Sequence, residues 1–298
     1  MASDASRSKI EQWIEKVLNT RRAMVRGSVS PLQPSTILWL AARALEGRDR
    51  MVSWAEARQP LGDVLVAVGA SRNPQYPLIA FSRSGVLEHD GLPLPLPTAH
   101  GSVGQDLNDL DPYFGLPEEI EEALRGDPGT FTQLLDALER SFASPDELRL
   151  ASAACGLQIT KEQLPDGGAL RNIPGRVRRT SYRFPRRVSV ADAVKAYYDH
   201  TCQRCAVRLL TPGGPVAEAA HVQALGDKGP DEMCNLLCLC PNDHRTLDKG
   251  GWFLTDDVEA VQFDDQMPRA LQLLRHHLDP QVLVAHREAH GIGELPVR

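Results

Sequence analysis

Apolar residues recur at helical spacing along the first half of the chain. In residues 6–24, apolar side chains such as Ile10 and Ile14 fall on one face, which predicts an amphipathic helix. Similar spacing predicts five further helices, over residues 35–45, 60–68, 117–124, 131–142 and 145–155. Ser144 and Glu147 are expected to form a capping box at the start of the last one. The first half is therefore predicted to be mainly helical.

Proline, glycine and short apolar runs interrupt this helical pattern. Residues 31–34 contain two prolines and cannot be helical throughout, because proline removes a backbone donor and disfavours helical geometry in the residue before it. Residues 50–53 are expected to form a short strand, and residues 91–115 an irregular loop. The apolar runs 78–82 and 86–89 flank a turn signal and predict a β-hairpin. Helices next to a hairpin suggest a winged-helix-like arrangement.

The second half alternates strand and helix patterns. Its predicted elements are a helix over 189–198, strands over 216–222 and 236–239, a short helix capped by Asn242 or Asp243, and a helix over 269–289. The sequence as a whole predicts an α+β protein with two domains. These are a first domain over residues 1–164, an arginine-rich linker over 165–188 and a second domain over 189–298.

Composition is that of a soluble globular protein. The chain has 298 residues, of which 42% are hydrophobic and 24% charged. It has no run of eighteen apolar residues, and its first residues lack the apolar core of a signal peptide. We therefore expect a cytoplasmic protein with no membrane association.

Charge is distributed unevenly along the chain. The net charge of −6 belongs to residues 1–165, whereas residues 166–298 carry equal numbers of acidic and basic side chains. Residues 171–187 contain seven arginines and no acidic residue. Such a run is suited to follow a phosphate backbone, with Arg178 and Arg179 as candidate contacts. A solvated linker between domains is the alternative interpretation.

Cysteines cluster at metal-ligand spacing in the second half. Cys202 and Cys205 form a Cys-x-x-Cys pair, which lets two thiolates converge on one zinc ion. Cys240 is the best third ligand, and Cys238 and Asp243 compete for the fourth position. The remaining two cysteines lie in apolar runs and are expected to be buried thiols: Cys155 and Cys234. Cysteines grouped in this way agree with a reducing compartment.

The same stretch carries three polar residues between apolar runs, in the order strand, loop, strand, helix. The segments AEAAHV, DEMCNLLCLC and PNDHRTLDKGGWF contain His221, Asn235 and His244. This pattern resembles the HNH endonuclease family in its restriction-enzyme form, over about fifty residues. The resemblance implies a ββα-metal nuclease domain with a zinc knuckle.

The resemblance also implies a role for each residue. His221 would be the general base that activates water, Asn235 would hold the His221 loop in register, and His244 would bind a catalytic divalent cation such as Mg²⁺ or Mn²⁺. Many relatives have a metal ligand directly before the first histidine, where this chain has Ala220. Glu218, two residues earlier on the same strand face, is the candidate replacement.

A second resemblance lies in the first half. The segment NPQYPLIAF follows an upstream PLQPSTILWL, and together they resemble the sulfur-binding domain of McrA-like, modification-dependent type IV restriction endonucleases. The resemblance implies that Tyr76, Pro77 and Ala80 line a cavity for the sulfur of a DNA phosphorothioate. It places Leu32 and Gln33 in a loop that faces the DNA, where many relatives have a histidine or a basic residue.

Three functions follow from these patterns. The first is an endonuclease that restricts foreign double-stranded DNA carrying phosphorothioates, expected to act as a homodimer, with residues 269–289 as a candidate interface. The second is an HNH enzyme directed to methylated cytosine, although only 5% of residues are aromatic and few could cage a flipped base. The third is a non-catalytic, zinc-containing DNA-binding protein.

Four histidines near the C-terminus are expected at the surface or an interface rather than on a metal: His276, His277, His286 and His290.

Overall fold

The computed structural model describes the chain except for residues 1–3, 21–23, 26–27, 91–93, 95–102, 164–179, 183–185, 265–266 and 293–298. It divides into two compact units. The first unit comprises Met1–Arg58, Pro74–Ser152 and Leu157–Arg187, and the second comprises Gln59–Asn73, Ala153–Gly156 and Val188–Arg298. In the described part of the chain, eleven α-helices accompany several small sheets, so the predicted mixture of helices and strands is confirmed.

Helices dominate the first unit. They are α1 (Asp4–Asn19), α2 (Leu32–Leu45), the start of α3 (Trp54–Ala67), α4 (Gln75–Arg83), α5 (Val103–Leu110), α6 (Glu118–Gly126), α7 (Pro128–Glu139) and most of α8 (Pro145–Ala154). Their apolar faces form a core of fully buried side chains such as Ile37, Phe81 and Phe131. The predicted mainly helical character is confirmed.

The strands of the first unit are short. They are β1 (Met24–Val25), β2 (Ser28–Val29), β3 (Val52–Ser53), β4 (Glu88–His89), β5 (Tyr113–Gly115), β6 (Leu157–Gln158), β7 (Lys161–Gln163), β8 (Thr180–Tyr182) and β9 (Arg186–Arg187). Strand β5 lies between β3 and β4, and the others form the antiparallel pairs β1–β2, β6–β9 and β7–β8.

The predicted capping interaction at α8 is present with a small shift. The Ser144 hydroxyl accepts a hydrogen bond from the Glu147 N–H at 3.2 Å. The Glu147 carboxylate accepts one from the N–H of Ala143, the residue before the cap, at 2.9 Å. Both bonds satisfy donors that a helix start leaves without partners, so the boundary predicted at Ser144 is confirmed.

The predicted hairpin over 78–82 and 86–89 is wrong, and with it the basis for a winged-helix-like arrangement. Residues 75–83 form helix α4, and the strand Glu88–His89 pairs with β5 instead. Gly85, with φ +69°, ends the helix rather than making a hairpin turn. Its N–H donates to Ser82 O, and the next N–H, of Val86, donates to Phe81 O, which is a Schellman motif.

Two predictions near the proposed sulfur site are wrong: the hairpin over 78–82 and 86–89, and the loop that contains Leu32 and Gln33. Prolines in the first turns of two helices explain both. Pro34 and Pro77 are each the third residue of their helices, where the N–H has no partner within the helix. Helix α2 therefore starts at Leu32, and Leu32 and Gln33 belong to its first turn rather than to a loop. The segment predicted as a loop over 91–115 also contains α5 and β5.

The second unit contains the strand, loop, strand, helix order that the sequence predicts. Its further elements are α9 (Val190–Tyr197), β10 (Leu209–Thr211), β11 (Gly214–Val216), β12 (Glu218–His221), β13 (Leu236–Leu239), α10 (Pro241–Leu247), β14 (Trp252–Leu254), β15 (Glu259–Gln262), β16 (Pro268–Ala270) and α11 (Pro280–Ala289). Two single-turn 3₁₀ helices, Leu225–Asp227 and Met233–Asn235, lie between β12 and β13. The antiparallel sheets are β10–β11, β12–β13 and β14–β15–β16.

The long C-terminal helix predicted over 269–289 is wrong in its first half. Residues 268–270 form β16, and α11 begins only at Pro280, where the Asp279 carboxylate caps it. Two of the four histidines, His276 and His286, are buried rather than at the surface, with 2% and 4% of their area exposed. Pro280 separates the two segments because its ring cannot continue a helix from the residues before it.

A buried ion-pair network ties residues 59–73 into the second unit. Arg72 lies 2.5 Å from the Asp63 carboxylate and also contacts Asp279, the cap of α11. Burial raises the pKa of Asp63, although Arg72 and Gln59 favour its ionised form. Removing Arg72 would leave two buried carboxylates without a cationic partner, so this arginine stabilises the unit.

His276 lies behind β13 in a chain of hydrogen bonds. Its Nδ1 is 2.6 Å from the Tyr198 hydroxyl, which itself accepts from the N–H of Arg275. Its Nε2 lies 3.0 Å from the carbonyl oxygen of Leu236, the first residue of β13. Burial lowers the pKa of His276 from 6.5 to about 4, so this ring is neutral when the protein is folded at neutral pH.

We expect His276 to make the second unit less stable in acid. Between pH 6.5 and pH 4 the unfolded chain takes up a proton that the folded protein excludes, so the free energy of unfolding falls by up to about 3 kcal/mol. Urea unfolding curves at pH 7 and pH 4.5 measure this loss of stability. Hydrogen exchange of the β13 amides at the same two pH values locates it in the second unit.

Two glutamine variants isolate this histidine from other groups that titrate over the same range. His276→Gln cannot take up a proton and should show a smaller loss of stability than the unmodified protein. His277→Gln, which changes the exposed neighbour, should behave like the unmodified protein. Equal pH dependence in all three proteins would contradict the prediction.

Among the residues that the structure describes, no helix is both long and apolar enough to span a membrane.

Candidate active site, metal centre and sulfur-binding surface

Strands β12 and β13 and helix α10 bring the predicted nuclease residues into one small motif. The strands pair antiparallel from His221 opposite Leu236 to Glu218 opposite Leu239, and α10 follows directly after Cys240. His221 ends β12, Asn235 immediately precedes β13, and His244 lies on α10. The observed β12 is shorter than the strand predicted over 216–222, because Ala217 separates it from β11.

Asn235 fastens the loop that connects the two strands. Its side chain is fully buried, and its Oδ1 accepts a hydrogen bond from the Gln223 N–H at 2.8 Å. Its Nδ2 donates to the carbonyl oxygens of Gln223 and Pro230, both at 2.9 Å. These three bonds hold both ends of the loop, and they satisfy every polar atom of the buried amide.

His244 lies between two carboxylates. Its Nδ1 is 2.7 Å from an oxygen of Glu218, and its Nε2 is 3.6 Å from an oxygen of Asp248, one helical turn later. The imidazole is about one-quarter exposed, and both carboxylates are more exposed still. Imidazole nitrogen and carboxylate oxygen are donor types that divalent cations accept, but Glu218 and Asp248 face different nitrogens of the ring, and these three residues do not form a metal-sized group among the described residues.

His221 has a separate partner. Its Nε2 lies 2.9 Å from an oxygen of Asp231 in the connecting loop, and its ring is 22% exposed. The imidazole is therefore held at one nitrogen while part of the ring faces solvent. This arrangement is compatible with taking a proton from a water molecule.

Three cysteines and one aspartate form a second, distinct cluster. The ligand atoms of Cys202, Cys205, Cys240 and Asp243 all lie within 4.8 Å of one another. Sulfur ligands stand about 2.3 Å from zinc, so a group of this size and composition fits one tetrahedral zinc ion. Among the described residues, this cluster contains the cysteines for which the sequence predicts a zinc knuckle.

The structure brings Asp243, not Cys238, close to the three cysteines. An oxygen of Asp243 lies 3.1 Å from the Cys202 sulfur and 3.4 Å from the Cys240 sulfur. Cys238 lies within β13, where alternation along the strand points its side chain away from the face on which Leu237 and Leu239 pack with Cys202. Cys238 is instead a fully buried thiol.

Arg204 supports the cluster from the turn between the two cysteines. Its guanidinium lies 2.5 Å from the second oxygen of Asp243 and stacks over the Trp252 ring at 4.8 Å. Burial by itself would raise the pKa of Asp243, but hydrogen bonds from the Cys205 and Cys202 thiols and from Arg204 outweigh it and lower that pKa. The carboxylate is thus ionised and oriented toward the sulfurs.

The residues proposed for sulfur recognition lie on helix α4. Tyr76 and Ala80 are one helical turn apart and share a face, with Tyr76 48% exposed and Ala80 partly buried. Pro77 is buried. Helix α2, which carries the partly buried Leu32 and the buried Gln33 in its first turn, packs against α4. The two helices that carry the candidate residues are therefore neighbours in the first unit.

The comparison with protein families decides the identity of the first half of the chain. Residues 10–158 match the model described as ScoMcrA-like, DNA sulfur-binding domain, which is half of the chain. The chain belongs to the ScoMcrA-like DNA sulfur-binding domain family. No curated protein matches it.

Solved structures also resemble this sulfur-binding domain protein. The modification dependent TagI restriction endonuclease is 28% identical, with 40% of this chain and 48% of that chain covered and a TM-score of 0.34. The sulfur binding domain of SprMcrA complexed with phosphorothioated DNA is 24% identical, with coverage of 49% and 98% and a TM-score of 0.43. The Type IV phosphorothioation-dependent restriction endonuclease ScoMcrA is 14% identical, with coverage of 78% and 93% and a TM-score of 0.38. The chain spans about half the length of TagI.

Three residues of the second unit of this sulfur-binding domain protein received no role from the sequence: Arg204, Asp231 and Asp248. Asp248 could have been found, because it stands four residues after His244 on a predicted helix. Asp231 and Arg204 gave no comparable signal, since their partners are ten and thirty-nine residues away. Arg178 and Arg179 lie outside the described residues, and their contact with DNA stays a prediction.

Proposed function

We propose that this protein is a metal-dependent HNH endonuclease that restricts DNA carrying backbone phosphorothioates. The observation that carries the proposal is the β12–loop–β13–α10 motif, in which Asn235 holds the loop while His221 and the Glu218–His244 pair extend from the strand and the helix. This motif stands in a chain that also contains a DNA sulfur-binding domain.

His221 is the proposed general base. Hydrolysis of a phosphodiester needs a group that removes a proton from the attacking water, and a partly exposed imidazole can accept that proton. The hydrogen bond from Nε2 to Asp231 leaves Nδ1 as the nitrogen with a free lone pair. We therefore assign proton transfer to Nδ1 of His221.

His244 is the proposed ligand of a catalytic Mg²⁺ or Mn²⁺, together with the carboxylate of Glu218 or that of Asp248, because the two carboxylates face different nitrogens of the ring. A cation bound there would stabilise the negative charge that builds on the phosphate and the leaving oxygen. The chain's own contribution is to hold the imidazole between two carboxylates, at 2.7 and 3.6 Å. Glu218 remains the proposed carboxylate ligand on β12, because Ala220 is fully buried and has no side-chain donor atom.

The cysteine cluster is proposed to hold a structural zinc. Its ligands come from the turn after α9 and from the start of α10, the helix that carries His244. A zinc ion there would fix the start of that helix relative to the cysteine turn. It would take no direct part in the proposed reaction, because all four positions are filled by protein ligands.

Sulfur recognition is assigned to the exposed face of α4. A phosphorothioate sulfur is larger, more polarizable and less hydrated than oxygen, so ring and methyl surfaces prefer it. Tyr76 offers a ring that is half exposed, and Ala80 offers a methyl group on the same face. The proposed roles of Pro77, Leu32 and Gln33 are to shape the surroundings of this face.

We expect Tyr76→Ala to remove most of the preference for sulfur. Losing the ring should cost about 1 to 3 kcal/mol of binding to a duplex with one phosphorothioate, with little change for the unmodified duplex. The test titrates each variant against the same duplex with and without the modification and then assays both for cleavage with Mg²⁺ or Mn²⁺.

Tyr113→Ala is the matched control, because Tyr113 is a similarly exposed tyrosine, at 45%, in the same unit. It should bind both duplexes like the unmodified protein. Equal affinity of the unmodified protein for the two duplexes would defeat sulfur recognition by this chain. A duplex with methylated cytosine, included in the same series, would then identify that mark as the alternative.

One ββα site cuts one DNA strand, so double-strand cleavage is proposed to require two copies of the chain. The predicted interface over 269–289 is limited to α11 as a helix, since the preceding segment has another structure. Two copies could bind one modified duplex without any change in the chemistry of each site.

A further inference from the structure

The Asp231 carboxylate lies against the histidine that the proposed function makes its general base. An oxygen of Asp231 is 2.9 Å from Nε2 of His221. An ionised carboxylate can only accept hydrogen bonds, so the proton of the neutral imidazole stands on Nε2. The contact therefore selects one of the two tautomers of His221.

The loop that carries Asp231 is built with little freedom. Asn235 donates to Pro230 O, the carbonyl directly before Asp231, and Gln223 Nε2 donates to Asp227 O at 2.8 Å. At Gly229, a Cβ atom would stand 2.1 Å from the Gln223 carbonyl oxygen, a distance no side chain can occupy. Lys228 adopts a left-handed conformation, with φ 63°. These contacts fix the backbone that precedes the carboxylate.

We infer that Asp231 is a positioning residue that holds His221 in its Nε2–H tautomer and directs Nδ1 toward the attacking water. The inference rests on the proposed function for its catalytic consequence, but the tautomer itself is a property of the protein without DNA. Asp231 does not touch the reacting atoms in this scheme, and its side chain is 68% exposed. It acts only through the orientation of the imidazole.

The loop supplies its own control. Asp227 lies four residues before Asp231, is also exposed, and contributes its backbone carbonyl rather than its side chain to the hydrogen bonds of the loop. Asp231→Ala and Asp227→Ala remove the same charge from the same loop. If the loop charge acts on DNA electrostatically, cleavage should change in both variants. If Asp231 positions His221, cleavage should change only in Asp231→Ala.

The first measurement is the tautomer of His221 in nitrogen-15-labelled full-length protein, from long-range proton–nitrogen correlations above pH 8. The signals are assigned by their loss in His221→Ala. We expect one Nε2–H tautomer in the unmodified protein and in Asp227→Ala, and a mixture of tautomers in Asp231→Ala. An unchanged tautomer in Asp231→Ala would overturn the inference whether or not the protein cuts DNA.

The second measurement is cleavage of a duplex with one phosphorothioate. Asp231→Ala should lower kcat by roughly ten- to a hundredfold, less than the loss of the base itself, with KM unchanged. Asp227→Ala should keep both values. Equal losses in the two variants would overturn the positioning role. Absence of cleavage by the unmodified protein would refute the proposed function, and the tautomer measurement would still decide whether Asp231 fixes His221.

Discussion

Replacing His221 with alanine is expected to abolish cleavage of phosphorothioate DNA while leaving the binding of that DNA intact. A general base contributes on the order of 10²–10⁴-fold to the rate, and alanine offers no group that can take the proton. The proposed sulfur contacts belong to α4 in the first unit, and His221 belongs to the second, so binding should not depend on this ring. Single-turnover cleavage and a binding titration with the same duplex measure the two properties.

Two further variants make the result specific. His277→Ala removes an exposed histidine from the same unit and should cleave like the unmodified protein. His244→Ala should lose cleavage as well, and higher concentrations of Mg²⁺ or Mn²⁺ should not restore it fully because Glu218 and Asp248 would lack their central partner. Full cleavage by His221→Ala would remove this histidine from the proposed mechanism.

Loss of one cysteine of the metal cluster should have the largest effect on folding. The purified protein is expected to contain one tightly bound zinc per chain, and Cys202→Ser should lose the zinc and unfold the second unit. Structural zinc contributes about 10 to 16 kcal/mol of apparent binding free energy, which is comparable to the whole free energy of unfolding of an ordinary domain, about 5 to 15 kcal/mol. Elemental analysis and hydrogen exchange of β12 and β13 measure both effects.

The fourth ligand can be tested in the same experiment. Asp243→Ala should weaken zinc binding, because this carboxylate lies 3.1 Å from the Cys202 sulfur. Cys238→Ser replaces a buried thiol outside the cluster and should keep the zinc. A folded protein without zinc would refute the metal site. If Cys238→Ser loses the zinc and Asp243→Ala keeps it, Cys238 rather than Asp243 is the fourth zinc ligand.

Features of this protein that depend on short-range patterns can be predicted from its amino-acid sequence. The helix start at Ser144, the helix that leads into Cys202, and the strand, loop, strand, helix order around His221 all follow from neighbouring residues. The cysteine spacing alone also identifies three members of the metal cluster. Capping, periodicity and ligand spacing act within a few residues, so one chain is enough to reveal them.

Tertiary contacts decide the features for which two local outcomes have similar free energies. The run PLIAF suits a strand as well as a helix, and its packing against α2 favours the helix that carries Tyr76. The choice between Cys238 and Asp243 depends on the face of β13 on which Cys238 lies and on the first turn of α10, which brings Asp243 close to the cysteines. The pairing of His221 with Asp231 and of Asp243 with Arg204 requires loops to meet in space. Apolar burial and long-range contacts settle such choices, because local propensities differ by less than the free energy of packing one side chain.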